Sequence, residues 1–347
     1  MIWLTWRQFR IQFLVIAAVV LAAAIALAAT GPGLLDDYHQ LAGDFIKNLG
    51  YERFNPLLYN AGLVLLYAAP PVIGAFWGAP LIARELEAGT HRLVWGQSIS
   101  RTRWLATKLA VTGLSAVAIT GLLSLAVTWW ADPIDDALNA GQGSNTFLPR
   151  MFPVTFSARG LVPIGYAAFA FAFGVAAGLV IRRTLVALAV TLAVVILVQI
   201  VTPSLIRQHL ITPTELNVVA TQENVRGFML TDVQGGDPRV KALEVTSASI
   251  GAWKMHDQTV DKSGAAISVL PEWAIKCGPE VPRGAANTPA EQQACYQRLA
   301  DEGYHQNIKY LAADKFWPLQ WREFGLFLLL AFGLVGFSFW RIRKDLS

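Results

Sequence analysis

The chain has 347 residues, 54% of them hydrophobic and only 15% charged, with a mean hydropathy of +0.43. Soluble domains carry about 25% charged residues, so this composition excludes an ordinary soluble protein and indicates a membrane protein. The net charge of +4 does not indicate nucleic acid, because the basic residues sit beside apolar runs instead of forming a stripe interleaved with aromatics.

The first element is residues 1–12, where Trp3, Trp6 and Arg10 recur at helical spacing. This pattern predicts a short interfacial amphipathic helix with its indoles at headgroup depth. Arg7 and Arg10 before an apolar run, then Ala26-Leu27-Ala28, imitate a signal peptide, but the run is long for a signal core. Six stretches lack charged side chains: 13–30, 61–83, 109–130, 161–181, 184–202 and 324–340. Crossing the hydrocarbon takes about 20 apolar residues, and a spanning segment of this kind must be helical.

Sidedness follows from the basic residues near short loops. Arg7, Arg10, Arg84, Arg92, Arg101, Arg103, Lys108, Arg182, Arg183, Arg341, Arg343 and Lys344 fall on one side. The opposite loops, 31–60 and 131–160, hold only Lys47, Arg53, Arg150 and Arg159. Both termini and the loop 84–108 are therefore expected in the cytoplasm. The loop 31–60 carries Leu34, Leu35, Tyr38, Leu41, Phe45 and Leu49 near helical spacing, an amphipathic helix on the outer surface. The loop 131–160 reads as irregular, and Arg182-Arg183 joins spans four and five as a tight hairpin.

Residues 203–318 are too long for a bare loop and predict a folded outer domain. "VKALEVTSASIGAWKM" is strand-like. "NTPAEQQACYQRLADEG" signals a helix with Thr288 as N-cap, Pro289 at its first position, Glu291 closing a capping box and Gly303 as the stop. Cys277 and Cys295 both lie here; in an oxidising compartment they are expected to pair, the alternative being two free thiols. The predicted fold is thus an all-α polytopic membrane protein of six transmembrane helices with cytoplasmic termini. It carries a small α+β extracytoplasmic domain at 203–318, after the interfacial helix 1–12 and spans one to five in 13–202. Residues 319–347 form the sixth span and a cytoplasmic tail.

Catalytic motifs are missing. The sequence has no GxxxxGK[ST], HExxH or GxSxG, and its five histidines are scattered. Asp36-Asp37 could serve a lipid-linked-sugar glycosyltransferase, or simply be the solvated face of the outer helix. No carboxylate or lysine interrupts the six stretches, which speaks against ion coupling. Within them, Gly74 and Gly78 in span two and Gly174 and Gly178 in span four have the GxxxG spacing of close helix packing. Thr112, Ala116, Thr120, Ser124 and Thr128 form a small-residue ridge on span three, a packing seam or a substrate path. Pro70, Pro71 and Pro80 are expected to bend span two.

This layout resembles ABC-2-type permeases, the transmembrane subunits of ATP-binding-cassette exporters, in an actinobacterial-like branch. The most specific stretch is "ARELEAGTHRLVWGQSISRTRWLATK". Its matching features are Glu85 and Glu87, Gly89-Thr90, Leu93-Val94-Trp95, Ser100-Arg101 and Lys108. The resemblance implies a coupling loop in which Glu85, Glu87, Gly89, Thr90, His91, Arg92, Leu93, Val94, Trp95 and Arg101 meet a separate P-loop ATPase. It also implies a permease of the bacterial cytoplasmic membrane that is not itself an enzyme and binds no cofactor, with ATP and Mg held by the ATPase. Two ATPase copies and a second permease copy, more readily the same chain than a different one, complete the assembly in membrane lipid. The positive-inside rule explains the loop's arginines, but not its acidic residues or its Leu-Val-Trp core. Tyr67, Phe76, Trp77, Thr120 and Ser124 are candidates for the substrate path, with the substrate unspecified. A membrane-anchored extracytoplasmic sensor or binding protein is the main alternative, and the glycosyltransferase a third.

Overall fold

The computed structural model describes residues 2–90, 100–144, 146–221, 223–231, 239–245, 250–277 and 288–344. Among these residues, six helices are long and apolar enough to cross a membrane: Phe9–Tyr51, Phe54–Glu87, Arg101–Asn139, Val162–Ile181, Thr184–Leu210 and Ala313–Lys344. They are the first to sixth spans below. The chain divides into two compact units, one of Met1–Ile211 with Asp314–Ser347 and one of Thr212–Ala313.

In the first unit the helices overrun their charge-free stretches. A single helix runs from Ile2 to Leu41 through Pro32, so no separate interfacial helix covers 1–12. The expected outer amphipathic helix is likewise the end of this element, then a turn at Ala42–Asp44 and a short helix, Phe45–Tyr51. The third span continues to Asn139, taking in the first part of the loop expected to be irregular. The sixth begins before residue 319, and the fifth extends past 202. The apolar stretches stop at Gly31-Pro32, at Ala131-Asp132 and at Pro203, whereas the backbone ladder stops only where its hydrogen bonds do.

Two apolar clusters mark the two ends of the bundle. At one, Phe9, Ile82, Trp104, Leu105, Leu179 and Ile342 pack together. Both ends of the chain's membrane unit, the second-to-third connection and the fourth-to-fifth hairpin thus share one end. At the other, Leu34, Phe45, Leu49, Tyr59, Ile134, Leu138 and Phe147 form the core.

The fourth span is the hub, and the GxxxG spacings explain how the second reaches it. A Cβ on Gly174 would lie 2.3 Å from the Gly74 carbonyl oxygen, and one on Gly78 would lie 2.5 Å from that of Phe171. A Cβ on Gly178 would meet the Ala79 oxygen at 2.5 Å. The two motifs therefore pack on each other, backbone against backbone. The third span adds its small-residue ridge, with Thr112, Ala116, Thr120 and Ser124 all buried.

In the second unit, β1 (Thr214–Val219), β5 (His305–Leu311) and β4 (Trp253–Val260) form an antiparallel sheet in the order β1-β5-β4. Thr214 pairs with Tyr310, and Trp253 with Leu311. β2 (Val225–Thr231) and β3 (Arg239–Val245) form a separate antiparallel pair. Helix Pro289–Asp301 has the expected capping box: the Glu291 N–H donates to Thr288 Oγ1 at 3.3 Å, and the Thr288 N–H to Glu291 Oε2 at 2.8 Å. The Thr288 N–H and the Thr288 hydroxyl, both donating to the Glu291 carboxylate, hold it below its usual range. Cys277 and Cys295 are bonded, with Cα atoms 5.3 Å apart. The bridge lies in a core with Leu243, Leu270, Ala274 and Leu299.

Replacing Gly174 by Ala should cost about 1–3 kcal/mol through overpacking, since neither neighbouring backbone can recede without moving a helix. Gly325→Ala, where a Cβ meets nothing within 4 Å, is the control. The thermal-unfolding midpoint in detergent should fall for the first and stay put for the second.

Candidate functional site

The site is the end of the bundle from which the second and third spans emerge. The second span contains a π-helical segment, Gly74–Gly78, in which the Ala79 N–H bonds to the Gly74 carbonyl five residues back. Its cause is Pro80, whose ring cannot donate and would clash with a regular ladder; the wider turn removes the conflict. Pro70 and Pro71 lie one turn earlier, inside Phe54–Ile73. The irregularity that accompanies these prolines in span two is this π segment.

Beyond it, helix Ala79–Glu87 ends at Ala88, and Gly89 turns the chain with φ +69°, a conformation that glycine adopts without steric penalty. The third span starts at Ser100, whose Oγ accepts from the Arg103 N–H at 3.3 Å. His91, Arg92, Leu93, Val94 and Trp95 lie outside the described residues. Arg101 stands in the first turn of the third span.

Glu85 and Glu87 have contacts within the chain. Lys108, almost wholly buried, donates to the Glu85 carboxylate and to the Leu81 carbonyl at 3.4 Å, and lies 5.0 Å from the Trp104 ring centroid. Glu87 Oε2 accepts the Thr184 N–H at 2.9 Å, capping the start of the fifth span. That start follows directly on the hairpin at Arg182, itself left-handed at φ +57°. Thr90 Oγ1 donates weakly to the Glu85 carbonyl at 3.4 Å. One short stretch, residues 85–87, thus ties the second span to both the third and the fifth.

A cavity of about 490 Å³ opens at this end, lined by Thr5, Phe9, Gln12, Trp77, Pro80, Leu81, Arg84, Glu85, Ala88, Thr90, Trp104, Thr107 and Lys108. Trp77, a candidate path residue, stacks edge-on against Phe9 at 4.6 Å. The other path candidates are elsewhere. Thr120 lines a smaller apolar cavity of about 150 Å³ with Val20, Ile73 and Leu123. Ser124 donates to the Gly160 carbonyl at 2.6 Å, a packing role. Phe76 is exposed, and Tyr67 is half-buried with its carbonyl accepting from Gln199 at 3.1 Å. Asp36 is exposed on the first helix, and the described residues hold no cluster of three or more metal-ligating side chains.

Sequence reading also missed buried ions at the far end. Arg207 is fully buried and clamps Glu323 bidentately, Nε to Oε2 at 2.7 Å and Nη2 to Oε1 at 2.9 Å. Tyr166 donates to the same carboxylate at 3.1 Å, the Pro153 carbonyl accepts from Arg207 Nη1, and Ser157 Oγ also accepts from Nη2. Arg159 pairs with Asp135 at 2.9 Å, also buried. The six stretches themselves hold no carboxylate; Glu323 stands just before the last of them, inside the longer helix Phe316–Lys344. Its charge excluded it from any apolar window, and its partner lies 116 residues away. Every oxygen of the Glu323 carboxylate is hydrogen-bonded, the arrangement of a structural brace and not of an open ion pathway.

A family model described as ABC-2 membrane transporter related matches residues 16–207. The chain belongs to this family. No curated protein and no solved structure matches it. It is accordingly a multi-pass membrane permease component of an ABC transporter, a transport subunit and not a catalytic one. The matched region runs through the first five spans of the permease and includes the whole 84–108 connection.

Removing one partner of a buried ion pair costs about 3–5 kcal/mol, and the partial exposure of Glu85 puts its pair with Lys108 at the lower end. Lys108→Met and Glu85→Leu should each lower the unfolding midpoint of the permease, and the double variant should recover most of the loss. Additive single-site losses in that cycle would show that the pair is not coupled.

Proposed function

We propose that this permease serves an ATP-driven exporter and receives its power stroke through the 84–108 connection. Both chain termini and this connection face the cytoplasm, where a separate P-loop ATPase holds ATP and Mg. Two copies of the permease work with two ATPase chains. The supporting observation is the double tie at the end of the second span, Glu85 to Lys108 and Glu87 to the Thr184 N–H. A push on the connection is delivered to three spans together. The short contact segment of residues 91–97 supplies the surface, with Leu93, Val94 and Trp95 as its apolar anchor and His91 and Arg92 beside them. Tryptophan and arginine are favoured anchors in such contacts.

Sidedness rests on two further features. Arg84, Arg101, Arg103, Arg182, Arg183, Arg341 and Arg343 gather at the end of the bundle shared by the termini, as the positive-inside rule requires of a cytoplasmic face. The Cys277–Cys295 bond suits an oxidising outer compartment for residues 212–313. Export is the direction that the family resemblance implies.

Affinity purification of the permease in mild detergent should retain a Walker-motif ATPase at one copy per permease. Trp95→Ala should weaken that association by about thirtyfold or more, the effect of losing a hot-spot anchor of about 2 kcal/mol, with the permease still monodisperse. Undiminished association and transport in this variant would dismiss the coupling role.

A further inference from the structure

The cavity beside the 84–108 connection has the size of a ligand site, about 490 Å³ against a usual range of about 300–1,000 Å³. Its lining is divided by chemistry. Thr5, Gln12, Arg84, Thr90 and Thr107 give it hydroxyl, amide and guanidinium groups, while Phe9, Trp77, Leu81 and Trp104 give it an aromatic and apolar wall. Three of its residues are charged: Arg84, Lys108 and Glu85. Lys108 is paired with Glu85, so among the described lining residues one further positive charge remains. That charge is on Arg84, which is exposed and makes no ion pair among the described residues. Guanidinium presents a planar fork of donors that fits phosphate oxygens. The cavity stands at the end of the bundle where the second and third spans emerge, and basic side chains at span ends are the ones that meet anionic headgroups.

We propose that this cavity binds a net-anionic phosphate amphiphile, with Arg84 on the phosphate and the Phe9–Trp77–Trp104 wall against its apolar part. The inference goes beyond ATPase coupling and does not depend on it, because binding is read on the isolated permease. A free phosphate ion shares the headgroup chemistry but leaves the aromatic wall unused. An acidic side chain of a partner protein would use Arg84 without needing the cavity.

The test is titration of the delipidated, detergent-purified permease with short-chain phosphatidylglycerol, phosphatidylcholine or inorganic phosphate, followed by native mass spectrometry and thermal unfolding. Phosphatidylglycerol should bind at one site per chain and raise the midpoint, with phosphatidylcholine and inorganic phosphate weaker by about tenfold or more. Arg84→Gln should weaken phosphatidylglycerol about tenfold, Arg84→Lys less, and Arg343→Gln, an exposed cation at the far end of the sixth helix, less than about twofold. Unchanged lipid-free midpoints establish that the variants fold. Equal losses from Arg84→Gln and Arg343→Gln would reduce the effect to diffuse charge attraction and overturn the site. So would equal affinity for phosphatidylcholine or inorganic phosphate, or an Arg84→Gln defect confined to ATPase association.

Discussion

The membrane unit depends on the close approach of the second and fourth spans. Between helices already in lipid there is no gain from removing apolar surface from water, so association rests on packing and on hydrogen bonds. Gly74 and Gly78 against Gly174 and Gly178 bring carbonyls to within side-chain-free distance of the neighbouring helix. The contact falls on the π segment that Pro80 imposes, so the one irregular turn of the second span is held by its tightest neighbour. The direction in which Ala79–Glu87 leaves the bundle is fixed there.

From that direction the placement of the ions follows. Glu85 reaches Lys108 on the third span, and Glu87 reaches the first turn of the fifth. At the opposite end Arg207, Glu323 and Tyr166 join the fifth, sixth and fourth spans, with Gln320 Oε1 accepting the Leu161 and Val162 N–H groups at 2.9 Å each. A buried ion pair adds little net stability over an apolar pair, yet losing one member is costly. Such pairs therefore act as registration devices: they penalise sliding of one span past another. At the 84–108 end, among the described residues, Lys108 holds Glu85 and the Leu81 carbonyl, Glu87 holds the Thr184 N–H, and a cavity opens beside them.

Much of this was legible in the sequence, for identifiable reasons. The six spans show in any hydropathy window because about 20 apolar residues in a row have few other uses. The helix from Pro289 was legible to its caps, since Thr288 and Glu291 act locally. The same holds for Ser100. The GxxxG spacings were visible but weak, since an alanine- and glycine-rich chain produces them by chance; only the partner motif gives them meaning. The first and third helices run beyond their apolar stretches, the first through Pro32 to Leu41 and the third through Asp132, Asp135 and Asp136 to Asn139. Arg207 and Glu323, or Asp135 and Arg159, carry no periodicity and are separated too widely in sequence for any local pattern to pair them. Glu85 and Glu87, which the resemblance assigns to a partner surface, also have partners inside the chain, Lys108 and the Thr184 N–H, and these no local pattern reveals.

The central claim is that the ends of the second and fifth spans move as one body when the ATPase acts. Spin labels at Ala88 and at Leu185, the latter exposed on the fifth span, report it directly, because both native cysteines are bonded to each other. In the permease–ATPase complex, the inter-label distance distribution should be single and the same in nucleotide-free and ATP-trapped states. A displaced or split distribution on ATP trapping would contradict a shared movement and would separate the fifth span from the coupling connection.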